Sequence, residues 1–274
     1  MRIATTLLLT PSYTNAVAGA TTLNVAGGMS GFAAALAPEL ALAGFEAQEA
    51  AIEEALGQLV GNAFTPGGVI DELGTRWEIT RNYFRLYACC NPIHPALDCL
   101  REALGELHPL PDQVERIDVA TYRFASVMRN PDPPNYFASK YSLPHAAAVM
   151  VVRGNAGFAE LDDSALGDAA VMALRHRVHV AEDPAMSALA PRRRPARVTV
   201  TLSDGRQATR ACDSHRGDFQ RPFGETEIRA KFRELAGVVL TAEGVSRVED
   251  AVEHCEDWQS IGTVTEVLLR YGRA

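Results

Sequence analysis

The spacing of apolar residues predicts helices in the first part of the chain. Apolar residues recur at intervals of three and four over 31–43, as on one face of a helix, and Gly44 follows where helices commonly end. A second helix is predicted over 46–60, with acidic residues in its first half, and the turn-forming run 65–68 then breaks the pattern. The apolar face of the first helix would consist of Phe32, Leu36, Leu40 and Ala43.

The pattern then becomes mixed, because segments of strand-like alternation stand between further helices. Few strands are predicted and they are separated, so a doubly wound parallel sheet is not expected and the class is α+β. The predicted helices are 94–107, 139–152, 224–236 and one or two within 243–272, and the predicted strands are 114–127, 178–182, 196–202 and 207–211.

Composition and charge exclude some classes of protein. The chain has 274 residues, of which 47% are hydrophobic, so it can bury a substantial core. Its net charge of -8 argues against a nucleic-acid partner, which would need a basic face. The one basic run, Arg192–Arg194, is interpreted as a solvated edge beside a strand.

The cysteines indicate a reducing, cytoplasmic environment. There are five of them, with irregular spacing and without a Cys-x-x-Cys pair. Cys90 and His94 could bind a metal, but two ligands are fewer than a zinc site requires, so no metal is expected.

The first twenty residues loosely imitate a secretory signal, although a buried helix is the preferred interpretation. No apolar stretch is expected to reach the ~20 residues that span a bilayer, so no membrane partner is predicted. The glycine-rich segment 24–31 has two interpretations, a phosphate-binding loop or a site of close helix packing, and the second is favoured because the spacing fits neither common phosphate motif.

A polar cluster lies between apolar segments in WEITRNYFRLYACCNPIHPALDCL, residues 77–100. This segment resembles the lysine-x-aromatic-x-x-Cys-x-x-x-His motif of the MmgE/PrpD family, with Arg85, Tyr87, Cys90 and His94 at the four motif positions. The family includes 2-methylcitrate dehydratase and cis-aconitate decarboxylase. Four other segments resemble the family in the same order: 24–45 (NVAGGMSGFAAALAPELALAGF), 137–154 (FASKYSLPHAAAVMVVRG), 195–206 (PARVTVTLSDGR) and 227–236 (EIRAKFRELA).

The resemblance implies a partial all-helical domain with an inserted α+β lid, in a homodimer. It places the first helical part at 1–83, the lid at 84–220 and the returning C-terminal helices at 221–274. It also implies a cofactor-independent lyase that removes a proton beside a carboxylate of a tricarboxylate- or dicarboxylate-like acid, in a cleft between lid and helices. Through 2-methylcitrate dehydratase it suggests propionate metabolism.

The resemblance assigns catalysis to His145 and Arg85 and substrate binding to Arg85, Cys90, His94, Lys140 and Ser142. Arginine keeps its proton, so Arg85 is expected to bind a carboxylate rather than act as a base, whereas His145 is expected to titrate near neutrality. These side chains also have ordinary structural interpretations: a cap or surface group for either histidine, a small buried residue for Cys89 or Cys90, an exposed position for Lys140, and an ion pair with Glu78 for Arg85.

Three positions depart from the family pattern. Leu23 and Arg85 stand where the family has lysines, and His145 stands where it has a tyrosine. Family members are also longer, so the chain is expected to lack a first helical half with catalytic motifs and to need a partner or second copy. The alternative is a non-catalytic C-terminal half or subunit that binds a carboxylate or a partner chain without turnover.

Overall fold

A computed structural model describes residues 1–7 and 13–273. Its contacts divide the chain into two compact units, each described by itself. The first unit contains 1–81 and 87–214, and the second unit contains 82–86 and 215–274. The predicted division at 83 and 220 stays a prediction.

The first unit contains a four-stranded sheet. Its strands are β1 (Val114–Thr121), β2 (Val178–Glu182), β3 (Ala196–Leu202) and β4 (Gln207–Cys212). The strand order is β2-β1-β3-β4, in which β1 and β2 are parallel and the other two pairs are antiparallel. This mixed sheet together with the helices confirms the predicted α+β class, and all four strands lie within the predicted lid.

Helices of very different length accompany the sheet. One of them, Ala51–Glu54, is directly continued by a π-helical turn, Ala55–Val60. The α-helices of the first unit are α1 (Arg2–Thr6), α2 (Thr14–Val17), α3 (Leu23–Leu42), α4 (Ala51–Glu54), α5 (Pro66–Ile70), α6 (His94–Leu107), α7 (Arg123–Ser126), α8 (Tyr136–Ser139), α9 (Leu143–Arg153), α10 (Ala169–Arg175) and α11 (Pro184–Ser187).

Buried side chains alternate with more exposed ones along β1 and β3, and the buried ones form part of the core of the first unit. Val119 is opposite Val198, and Ile117 is opposite Val200, and all four are buried. Helix α6 packs against β3 and β4, and α9 packs against α6, α10 and β2. Burying each such aliphatic side chain contributes roughly 1.5–3 kcal/mol to the stability of the fold. The packing of α6 and α9 against the sheet thereby fixes where these two helices begin.

The second unit consists mainly of α12 (Glu225–Val239), α13 (Ala242–Glu253) and α14 (Gly262–Tyr271). Leu240, Val245 and Val248 form its small core. The hydroxyl of Thr241 caps α13 by accepting a 3.2 Å hydrogen bond from the N–H of Gly244. The sequence predicted one or two helices within 243–272, and the structure has two α-helices there, α13 and α14.

The glycine-rich segment is not a phosphate-binding loop, and the close packing favoured for it is not found among the described residues. Residues 24–31 belong to α3, which begins at Leu23 rather than at 31. A Cβ added at Gly27, Gly28 or Gly31 would meet no heavy atom within 4 Å among the described residues, so no described element packs closely against these glycines. Only Ala33 and Ala37 of this helix are buried.

The longer α3 also changes the expectation about membranes. With 20 residues and Glu39 as its one charged side chain, α3 is long and apolar enough to cross a bilayer, so the expectation that no stretch reaches this length is wrong. The reason is that the glycine-rich part extends the helix. A single helix of this kind is weak evidence for a membrane span, because a core helix or a signal sequence near the N-terminus has the same length and composition.

Several predicted elements differ locally from the structure. The strand expected over 114–127 ends at Thr121, and the short helix α7 follows it. The helix expected over 46–60 begins at Ala51, and Pro66 starts the short α5 where only a break was expected, since proline suits the first turn of a helix. The helix expected over 139–152 is two helices, because α8 ends at Ser139 and Ser142 caps the start of α9.

Candidate active site

Two of the family-like segments meet in the first unit. The backbone N–H of Cys90 donates a 2.8 Å hydrogen bond to the carbonyl oxygen of Lys140. Cys90 precedes the short turn Asn91–Ile93 that leads into α6, and Lys140 lies between α8 and α9. The starts of α6 and α9, with their candidate histidines, are therefore held near each other.

His94 is the first residue of α6 and is fully buried, so its interpretation as a surface group is wrong. Its Nε2 lies 3.2 Å from the carbonyl oxygen of Cys89, and its ring meets the ring of Tyr87 edge-on, with centroids 5.2 Å apart. The Tyr87 hydroxyl donates a 2.7 Å hydrogen bond to the buried carboxylate of Asp98, one turn after His94. Burial, with a further contribution from Asp98, raises the pKa of Tyr87 well above its usual value.

Cys89 and Cys90 occupy different environments although they are adjacent. Cys89 is buried, which agrees with its interpretation as a small core residue. Cys90 is half-buried, and its Sγ lies 2.7 Å from the hydroxyl of Tyr13. A polar contact of this kind makes Cys90 a possible hydrogen-bonding group as well as a packing residue.

Ser142 and His145 form the start of α9. The Ser142 hydroxyl accepts a 3.1 Å hydrogen bond from the N–H of His145 and donates a 2.6 Å bond to the carbonyl of Asn130. The His145 ring is fully buried, so it is not a surface group. Neither of its nitrogens has a hydrogen-bond partner within the part of the chain that the structure describes.

His145 does not titrate near neutrality as expected. Burial, reinforced by the positive charges of Arg175, Arg153 and Lys140, lowers its pKa from 6.5 to about 4. The imidazole is therefore neutral at pH 7, and burial rather than the helix dipole is the main reason. A neutral imidazole among cations can accept a proton once an anion offsets the surrounding charge.

Lys140 is half-buried, so the interpretation as an exposed residue is wrong. Its Nζ donates hydrogen bonds to the hydroxyl of Tyr136 at 2.6 Å and to the carbonyl of Leu161 at 3.0 Å. The ammonium group also lies 4.0 Å from the centre of the Tyr136 ring. These contacts hold the charge in a fixed position near the start of α9.

Arg85 belongs to the second unit and is exposed. Its Nη2 lies 3.4 Å from the hydroxyl of Tyr83, and its guanidinium carbon lies 5.8 Å from the centre of that ring. The acid suggested as its partner, Glu78, receives a 2.6 Å hydrogen bond from Arg76. The role of Arg85 stays a prediction.

Two arginines near these segments were missed by the sequence argument. Arg175 at the end of α10 is buried and pairs with Asp132 at 3.2 Å. The sequence feature that could have identified Arg175 is a charged residue directly after the apolar run 169–174. Arg194 donates a 2.5 Å hydrogen bond to the buried Asn91, so Arg194 is not simply part of a solvated edge.

The arrangement offers cations and the neutral imidazole of His145 rather than a metal site. No group of three or more potential ligand side chains is placed to hold a metal ion within residues 1–7 and 13–273. The positive surroundings of His145 favour an anionic ligand, because a carboxylate there would gain attraction from several cations.

Comparisons with known proteins place the chain in a family. The model of the MmgE/PrpD C-terminal domain matches residues 87–257, a range that includes all candidate residues except Arg85. The chain is 24% identical over 254 residues to a cis-aconitate decarboxylase of Aspergillus terreus, covering 84% of this chain and 51% of that protein.

Two further relatives are similar over shorter ranges. A cis-aconitate decarboxylase-like protein, oryM, of Aspergillus oryzae is 26% identical over 69% of this chain and 41% of its own length. The cis-aconitate decarboxylase of Mus musculus is 23% identical over 57% of this chain and 32% of its own. The chain thus spans about half the length, or less, of these curated relatives. Since the family model covers more than half of the chain, this protein belongs to the MmgE/PrpD family.

Proposed function

We propose that the chain is the carboxylate-binding part of a cofactor-independent lyase that acts on a tricarboxylate- or dicarboxylate-like acid. The observation that carries this proposal is the environment of His145: a fully buried ring without hydrogen-bond partners in the described part of the chain, near three cations. It lies in a segment that the family model covers. Such a ring is suited to meet an anionic ligand rather than another protein group.

The chemistry follows from charge. A bound carboxylate would offset the positive surroundings and raise the pKa of His145, so that the ring could take a proton from the carbon beside a carboxylate. In a dehydration the electron pair of the broken C–H bond forms the double bond, and hydroxide leaves as water. In a decarboxylation the C–C bond breaks, carbon dioxide leaves, and the carbanion takes a proton.

The other candidate residues would bind the substrate. Arg85 and Lys140 supply cations for carboxylates, and Arg85 is proposed as a binder because a guanidinium does not release its proton at neutral pH. Cys90, His94 and Ser142 would contribute hydrogen bonds. The similarity to cis-aconitate decarboxylases supports decarboxylation as one of the possible reactions.

Turnover is proposed to require a further helical portion, in the same polypeptide or in a partner, equivalent to the part of the relatives that this chain does not span.

A homodimer is also proposed. In support, α3 exposes large apolar side chains: Phe32 is 60% exposed and Leu42 is 83% exposed. Apolar surface of this kind commonly marks an interface. A cytoplasmic location remains a prediction from the cysteine pattern.

The second candidate function is binding of a carboxylate or a partner chain without turnover. The argument in its favour comes from the resemblance, by which Leu23, Arg85 and His145 stand where the family motif carries two lysines and a tyrosine. Leucine cannot donate a proton, and a neutral imidazole with a pKa near 4 is a weak base until an anion binds.

One experiment separates these functions. The purified chain is titrated with citrate and tricarballylate by calorimetry, and cis-aconitate and 2-methylcitrate are assayed by ultraviolet absorbance for loss or gain of the conjugated double bond. We expect binding with little or no turnover by the chain alone, and turnover once a helical portion equivalent to the unspanned part of the relatives is supplied. Binding that never leads to turnover would favour the second candidate, and no binding would contradict the proposed carboxylate site.

A further inference from the structure

Two cysteine thiols meet between α6 and β4 in the first unit. Cys99, in the second turn of α6, donates a hydrogen bond to the sulfur of Cys212 at the end of β4, and the two Sγ atoms are 3.5 Å apart. Cys212 in turn lies 3.5 Å from the carbonyl oxygen of Pro95. A disulfide bond has a length of about 2.05 Å, so the sulfurs need to approach by only about 1.5 Å to form one.

The surroundings hold the two thiols together. Helix α6 packs against both β3 and β4, and Cys99 also lies 3.6 Å from the carbonyl oxygen of Ala196, the first residue of β3. Ala196 pairs with Cys212 across the two strands. The approach of the sulfurs is therefore set by the sheet register and by the buried face of α6, rather than by flexible loops.

We propose that Cys99 and Cys212 form a reversible disulfide site that reacts with a peroxide oxidant. Cys212 is half-buried whereas Cys99 is 1% exposed, so the oxidant reaches Cys212 first. Its thiolate attacks one oxygen of hydrogen peroxide, the O–O bond breaks, and the products are a sulfenic acid and hydroxide, which takes a proton to become water.

The second step uses the neighbouring thiol. The sulfur of Cys99 attacks the sulfenic sulfur of Cys212, the S–O bond breaks, and the departing hydroxide leaves as water with the proton of Cys99. In sum, two thiols lose two hydrogens and two electrons, and one peroxide is reduced to two waters. Cys99 is not the first thiol to react, because its hydrogen bond to Cys212 and its burial raise its pKa well above the usual value. Its role as the resolving thiol rests on the 3.5 Å approach of the two sulfurs.

The bond would connect two elements that are far apart in sequence. It would fasten α6, which begins with the candidate residue His94, to the edge strand of the sheet. Such a cross-link restricts the unfolded chain more than the folded one, because the two cysteines already meet in the folded state. The oxidised protein should therefore melt at a higher temperature than the reduced protein.

The test is treatment of the folded chain with hydrogen peroxide, followed by alkylation of remaining thiols under denaturing conditions and peptide mass mapping. We expect a mass loss of about 2 Da, as two hydrogens are removed, and a linked peptide pair that contains Cys99 and Cys212. Dithiothreitol should restore both thiols, and the oxidised form should melt at a higher temperature. The exposed Cys255 offers a matched control, since Cys255→Ser should form the same link.

Cys212→Ser should give no linked peptide and no rise in melting temperature. If this variant fails to fold, the peptide map of the unaltered chain decides by itself. A gain of about 32 Da on Cys212 with Cys99 still alkylated would overturn the proposal, since it would mean overoxidation without resolution. A linked pair that involves Cys89, Cys90 or Cys255 in place of either residue would also overturn it.

Discussion

The N–H of Cys90 and the carbonyl oxygen of Lys140 are joined by a 2.8 Å hydrogen bond. This bond connects the segment that begins α6 with the segment that begins α9, each of which carries a candidate histidine. Because a backbone bond requires no particular side chain, the connection survives substitutions at either residue. The side chains of both segments can therefore be tested one by one.

Ser142→Ala should destabilise the protein by about 1–2 kcal/mol. The substitution removes the cap at the start of α9 and the hydrogen bond to the carbonyl of Asn130. The free energy of unfolding from denaturant titration measures this. Ser203→Ala, in an exposed turn, is the control and should change it by less than about 0.5 kcal/mol. Equal values for the two variants would contradict the capping role.

The free energy of unfolding should fall as the pH falls from about 6.5 to about 4. The folded-state pKa of His145 is lowered to about 4, so the unfolded chain, with a value near 6.5, binds the proton first. The loss could reach roughly 3 kcal/mol. Denaturant titrations across this range should show a shallower slope for His145→Gln, whereas the exposed His179→Gln should retain the slope of the unaltered protein.

Tyr87→Phe should cost about 1–3 kcal/mol. The hydroxyl donates to Asp98, whose carboxylate is 1% exposed and would lose one of its donors in the variant. Tyr271→Phe removes a hydroxyl that donates to Glu243 at the surface, at 3.0 Å, and should change stability by less than about 0.5 kcal/mol. Thermal or denaturant unfolding gives both values, and a negligible effect at Tyr87 would mean that water replaces the lost bond.

Arg85→Ala should weaken tricarboxylate binding roughly tenfold or more, because a charge-assisted hydrogen bond is lost. Calorimetry measures the dissociation constant. Arg81→Ala, four residues earlier and also exposed, should leave it unchanged. If both variants bind equally well, Arg85 does not contact the ligand and the family-based assignment is wrong.

The chain should self-associate at micromolar concentration, because α3 exposes apolar side chains such as Phe32 and Leu42. Light scattering should show a mass above that of one chain, and Phe32→Glu should reduce it. Leu110→Glu changes another side chain, 64% exposed and outside α3, and should not. A monomer in all three samples would contradict an interface on this helix.

The sequence by itself determined the α+β class and the positions of several elements. The strands 178–182 and 196–202 and the helix 94–107 were predicted with the observed bounds, because their alternation and their proline and turn signals are local. The family motifs also named the segments that meet at the candidate site.

Only the tertiary structure decided the rest. Helix α3 continues through its glycines, which local propensity argued against, and its exposure depends on what packs beside it. The lowered pKa of His145 results from burial and from cations on other elements. The approach of Cys99 to Cys212 depends on how α6 lies on the sheet. Distances between residues remote in sequence are set by packing, and no local pattern specifies them.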